Sequence, residues 1–246
     1  MSLKFNIRLV CLELLVILSF NFNGIAQNTS FEFWPETDIW YRINPSWRLS
    51  SFIAITKYHE SSNRDLNISL QTDYAWGKTK HSIFRKLMDD IKAQQMNAFL
   101  IRVGFMEGSS LGENAGDYTE DMLFAEIHNR QPLIIMVLSE ILFSQRFRTD
   151  LRWVGQDPEF SYRLRYRAMV EKEFTDENFS IIPYLSAELF WDSRYSAITR
   201  VRVIGGSTLA WGPTLAFEGN ITYQYDSYYY AQNLYALNLI LHVFFE

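Results

Sequence analysis

Arginine recurs at every second position in two neighbouring segments. One holds Arg146, Arg148 and Arg152, with Asp150 in the same series; the other holds Arg163, Arg165 and Arg167. Planar guanidinium groups bind carboxylate or phosphate, so a wall lined this way suits small anionic solutes. Carboxylates interleaved among them would instead consume the arginines in a salt-bridged filling. Other chemistry is sparse. His59, His81, His128 and His242 make no HExxH or other metal-ligand spacing, and no cofactor is expected. His59-Glu60-Ser61 and His81-Ser82 carry the residue types of a lipid hydrolase, but neighbours in sequence need not converge in space. There is no phosphate-cradling Gly-rich loop; Gly205-Gly206 and Gly212 read as turn and bend glycines. No residue is therefore assigned a catalytic role.

The elements that carry the arginines follow from what lies between them. Phe147, Thr149, Leu151 and Trp153 alternate with the first series, and Leu164, Tyr166 and Ala168 with the second. A period of two means β-strand, with charges on one face and apolar groups on the other. The same alternation recurs along the chain. Phe33 to Ile43 puts Phe33, Ile39, Tyr41 and Ile43 opposite Trp34, Glu36, Asp38, Trp40 and Arg42. Further strands read at 47–57, 66–76, 97–105, 122–129, 133–153, 160–174, 181–191, 199–205, 214–225 and 234–245. Short turns separate several of them, which implies an antiparallel meander. Glu107 to Thr119 reads as an exposed Gly-, Ser- and acid-rich loop. Residues 82–94 break the pattern: Ile83, Leu87 and Ile91 recur at helical spacing, which predicts a short amphipathic helix.

Residues 1–26 read as a secretory signal peptide, with Lys4 and Arg8 before an apolar run and Gly24-Ile25-Ala26 as the cleavage region. Cys11, the one cysteine, lies inside that run, so a mature chain has no disulfide and no cysteine metal site. Removing the leader takes away Lys4, Arg8 and Glu13 and leaves 21 basic against 27 acidic residues. That balance excludes general nucleic-acid binding. Residues 27–246 are one domain's worth of an all-β chain.

Alternation alone does not say which face is inside. The leader, the long successive strands and the closing strand favour a membrane barrel. In that closing strand Tyr235, Leu237, Leu239, Leu241, Val243 and Phe245 share one face. The fold class expected is an antiparallel up-and-down transmembrane β-barrel. Eleven segments read as strands, but bacterial barrels usually have an even number; about 12 strands are expected, with 10 as the alternative, and the 133–153 stretch is long enough to hide a turn. Parity then lists the inward face. Its bases are Arg42, Arg48, Arg102, Arg146, Arg148, Arg152, Arg163, Arg165, Arg167, Arg200 and Arg202. Its acids are Glu36, Asp38, Asp73, Glu126, Asp150, Glu171, Glu173, Glu188 and Glu218. Hairpin geometry brings Asp150 near Arg163 and sets Glu188 between Arg165 and Arg200.

Several segments resemble an uncharacterised bacterial outer-membrane family, domain of unknown function 2490. They are Phe33-Trp34-Pro35-Glu36, the run from Ser144 to Trp153, the run from Phe160 to Arg167, Glu171-Lys172-Glu173-Phe174, Pro183 to Glu188, and Asp192-Ser193-Arg194-Tyr195. The resemblance implies an outer-membrane β-barrel and supplies no substrate or catalytic residue. The expected partners are outer-membrane lipid, the barrel-assembly machinery and small anionic solutes. The expected function is a non-catalytic barrel, either a narrow passage or a structural barrel with a salt-bridged lumen. A membrane-embedded lipid-modifying enzyme and a soluble periplasmic binding barrel are the alternatives.

Overall fold

Beyond residue 28 side chains alternate in character with few breaks. Extended backbone follows, because only a strand puts every second residue on one face. The computed structural model describes residues 29–57, 64–79, 96–111, 119–135, 138–155, 157–175, 179–212, 214–228 and 232–245. They form twelve strands: β1 (Thr29–Arg42), β2 (Trp47–Lys57), β3 (Arg64–Thr79), β4 (Met96–Leu111), β5 (Thr119–Ile135), β6 (Leu138–Val154), β7 (Glu159–Lys172), β8 (Phe174–Thr175), β9 (Phe179–Asp192), β10 (Ala197–Trp211), β11 (Leu215–Asp226) and β12 (Asn233–Phe245). The helix expected over 82–94 and the leader expected over 1–26 lie outside the described residues.

Strands β1 to β7 pair in succession, β7 pairs with β9, and the meander continues to β12. Strand β12 then pairs with β1, from Thr29↔Asn233 to Tyr41↔Phe245, and the sheet closes. Twelve strands agree with the expected dozen. Eleven of them form the closed wall, and the two-residue β8 extends the line of β7 along β9 beyond Glu173. The closing pair is parallel, against the antiparallel pairing expected throughout. In a meander each strand reverses the last, so the first and eleventh wall strands must run the same way. The stretch that begins at Leu133 divides between two antiparallel strands, since β5 ends at Ile135 and β6 begins at Leu138. The first part of the loop expected over 107–119 is strand instead. Strand β4 continues to Leu111, with Ser110 buried, because Gly108, Ser109 and Ser110 preserve the alternation without needing bulk.

The outer face is apolar and exposed. Leu239 and Leu237 are 49% and 47% exposed, whereas His242 on the same strand is 3% exposed. Exposed aliphatics such as Leu70, Val103, Leu123, Val203 and Ile221 occupy the middle of the strands. Aromatic pairs flank them at both rims. Trp47–Tyr74 (4.8 Å between centroids) and Trp76–Phe99 (5.6 Å) lie at the rim of the β1–β2 turn. Trp153–Phe160 (5.5 Å), Tyr162–Trp191 (5.5 Å) and Tyr195–Tyr228 (4.1 Å) lie at the other. An aliphatic band between two aromatic girdles is the pattern of a barrel surrounded by lipid. Buried charge and hydroxyl groups fill the inside, reversing a soluble barrel.

Close packing inside needs two glycines. A Cβ on Gly104 would stand 2.5 Å from the Phe124 ring and 2.8 Å from the Gln71 Cβ. A Cβ on Gly206 would collide with the Asn220 side chain and the Gly219 carbonyl. Gly206 faces Tyr184 across the β9–β10 pair, and Tyr184 donates a hydrogen bond to Glu218 on the far side of β10.

Candidate functional site

The arginine rows meet inside the barrel because strand register aligns them. Arg146, Arg148 and Asp150 on β6 lie opposite Arg167, Arg165 and Arg163 on β7. Two guanidinium pairs, Arg146–Arg167 and Arg148–Arg165, would repel, so the carboxylates around them, Asp150 opposite Arg163 among them, decide the geometry. Asp150 is fully buried and accepts from the Arg148 Nε; its Oδ2 lies 2.8 Å from Arg163 Nη2 and 3.8 Å from Arg165 Nη1. Glu188 on β9 takes Arg146 Nη2 at 2.5 Å and Arg165 Nη2 at 2.8 Å. Glu126 on β5 takes Arg148 Nη1 at 2.7 Å, Arg146 Nη1 at 3.7 Å and Arg102 Nη1 at 3.5 Å, with His128 Nε2 at 2.7 Å.

These contacts close on themselves. Glu126, Arg148, Asp150, Arg165, Glu188 and Arg146 form a ring in which acid and base alternate, each within 4 Å of the next. Three acids balance three bases, so the ring is neutral although it is built from the most basic part of the chain. Arg102 ties it to β3 through a two-point grip on Asp73, at 2.7 and 2.9 Å. Arg163 joins it at Asp150. Towards the β6–β7 turn, Arg152 pairs with Glu120 and reaches Asp192 at 3.4 Å. Arg194, in the β9–β10 turn, grips Asp192 at 2.7 Å, and that hydrogen bond raises its pKa above the usual arginine value.

A second motif packs against the ring. Phe190 points inward and is buried, and the guanidinium groups of Arg165, Arg202, Arg200 and Arg163 stand 4.6, 5.1, 5.5 and 5.6 Å from its ring centroid. An aromatic face attracts cations, so one phenyl ring gathers arginines from β7 and β10. Phe124 does the same for Arg148, at 4.0 Å.

The expected lumen residues thus separate into groups. Arg146, Arg148, Asp150, Arg165 and Glu188 build the ring, while Arg152 and Arg163 extend it. The expected pairing of Asp150 with Arg163 is present, as is that of Glu188 with Arg165. The expected pairing of Glu188 with Arg200 is not. A register shift between Ile198 and Arg200 sets Glu188 opposite Arg202, and Arg200 pairs with Asp226 at 2.6 Å. Arg202 takes the Gln224 amide oxygen at 2.6 Å. Arg167, Glu171 and Glu173 line a cavity of about 590 Å³ in the half of the lumen towards the β5–β6 and β10–β11 turns. His242 faces the same cavity between Asp38 (3.0 Å) and Glu218 (3.4 Å). His59-Glu60-Ser61 and His81-Ser82 lie outside the described residues.

Sequence parity missed Phe190, Glu120, Asp192 and Asp226. Three of these are acids at strand ends, and extending each strand by one or two residues at constant parity would have found them. Phe190 shares the parity of Glu188 and Ser186, which marks it as inward, but an apolar side chain there carries no obvious signal.

The profile of the family described as "Protein of unknown function (DUF2490)" matches residues 31–233. None of the curated proteins matches the chain. Two similar solved structures are a KdgM porin and a KdgM porin in complex with disordered oligogalacturonate. Each is 12% identical, with 81% of this chain and 92% of the other covered, and TM-scores of 0.40 and 0.41 respectively.

Proposed function

The chain belongs to the DUF2490 family, and from that premise we propose a non-catalytic outer-membrane barrel whose lumen is closed by its own ion pairs. Residues 1–26 serve as the export leader and residues 27–246 as the single barrel domain. Lipid contacts the aliphatic band, and the exposed Phe245 at the end of β12 suits recognition by the barrel-assembly machinery. The observation that carries the closed lumen is the neutral ring of Glu126, Arg148, Asp150, Arg165, Glu188 and Arg146. A stripe of free arginines would favour anion passage, but these arginines already hold carboxylates. A narrow passage for small anionic solutes is the second reading, favoured by the cavity beside Arg146 and Arg167.

Membrane fractionation with heat-modifiable gel migration tests the placement. The protein should sediment with the outer membrane and change mobility on boiling. Recovery in the soluble periplasmic fraction would overturn the proposal.

A further inference from the structure

The ring leaves donors unused on the β6–β7 wall of the lumen. Arg167 lies opposite Arg146 in the β6–β7 register and faces the cavity. Among the described residues its guanidinium takes no hydrogen-bond or ion-pair partner, although burial of a cation normally demands one. Arg146 spends its terminal nitrogens on Glu188 and Glu126, and its Nε stays unpartnered. Ser144, the next inward residue on β6, leaves its Oγ unpartnered in the same cavity. Three neighbouring residues that line the cavity thus carry unused donors: a guanidinium, a buried Nε–H and a buried hydroxyl. The neighbouring surface is apolar and comes from Met169, Ile182 and Ile204.

We infer that this cavity binds a small organic monocarboxylate, its carboxylate held by Arg167, Arg146 Nε and Ser144 and its compact apolar body against Met169, Ile182 and Ile204. The volume, about 590 Å³, falls within the usual range for small-molecule sites. Arg102, Arg130 and Arg146 also line the cavity, but their guanidinium groups already hold Asp73, Glu126, the Asn97 carbonyl and Glu188, which leaves the Arg167 guanidinium for one negative group. Glu171 and Glu218 stand on the wall of the same cavity and would repel a second anionic group, so phosphate dianions and polycarboxylates are disfavoured. A planar carboxylate also matches the fork of a guanidinium.

The inference rests on the barrel placement for its setting, but not on the lumen being closed. The test is isothermal titration of the full mature chain in detergent with benzoate, benzamide and inorganic phosphate. Benzoate should bind saturably, at least ten times more tightly than benzamide, and phosphate should not compete. Arg167→Gln should abolish the preference for benzoate over benzamide while heat-modifiable migration is retained. Ser144→Ala, a milder change, should weaken benzoate three- to tenfold and supplies the measurement if Arg167→Gln does not fold. No saturable benzoate binding overturns the inference. So does equal binding of benzamide, or unaltered benzoate binding in a folded Arg167→Gln protein. None of these results bears on membrane placement, which fractionation reads separately. Recovery in the soluble fraction would sink the placement and leave a measured benzoate site standing.

Discussion

Each carboxylate of the ring answers to at least two guanidinium groups, so removing one leaves charges on two strands uncompensated. Glu188→Ala strips a partner from Arg146 and Arg165 at once. Breaking a buried ion group in this way costs about 3–5 kcal/mol. Glu107 is an exposed glutamate on β4, and Glu107→Ala should change stability by no more than about 0.5 kcal/mol. Urea unfolding of both variants in lipid vesicles measures the difference, and a cost below 1 kcal/mol for Glu188→Ala would remove it from the ring (roughly a third of the expected loss). Phe190 offers a separate probe. Phe190→Leu keeps an apolar side chain but deletes the ring face beneath Arg163, Arg165, Arg200 and Arg202. Desolvated cation–π contacts contribute up to about 2 kcal/mol, so a loss of about 1–3 kcal/mol is expected. The same unfolding assay reads it, and an unchanged midpoint would mean that the ion pairs alone hold the arginines in place.

Strands are where the sequence was most legible, because a two-sided wall writes its period into every residue. Parity put Leu237, Leu239, Leu241 and Val243 on the outer face of β12 and His242 on the inner one, and the structure agrees. A charge on the outer face must then enter lipid: Leu239→Arg should cost about 2–4 kcal/mol near mid-bilayer. Unfolding in vesicles checks this, and a loss well under 1 kcal/mol would put Leu239 at an interface instead (the cost there falls to about 0–1 kcal/mol). What parity does not carry is register between strands. The irregularity between Ile198 and Arg200 moves every later partner by one residue, and the register beyond it puts Arg202 opposite Glu188 and Arg200 opposite Phe190. Small polar residues in a strand also carry the composition of a loop. Gly108 and Ser110 are buried, inward positions of β4. The parallel closure of β1 on β12 follows from strand number, and no local motif encodes it.

For the molecule as a whole the question is whether charge fills the lumen or lines a path. The ring is neutral, and its arginines are committed to carboxylates on β5, β6 and β9. Reconstituted in planar bilayers, the unaltered protein should give no stable conductance steps. Asp150→Asn combined with Glu188→Gln removes two of the three ring acids while keeping side-chain size. Arg163 and Arg165 would then lose their ion-pair partners, and Arg146 and Arg148 would share Glu126 alone. Mutual repulsion should loosen the filling, and the released guanidinium groups should lower the barrier for negative charge. Steps with a preference for anions are therefore expected from the double variant, checked first for retained heat-modifiable migration. Glu126→Gln leaves Asp150 and Glu188 in place and should give fewer or smaller steps. Anion-preferring steps from the unaltered protein would favour the narrow passage, since the ring would then be permeable as it stands. Cation-preferring steps from either form would contradict both readings: every passage through this half of the lumen must go by the arginines of β6 and β7.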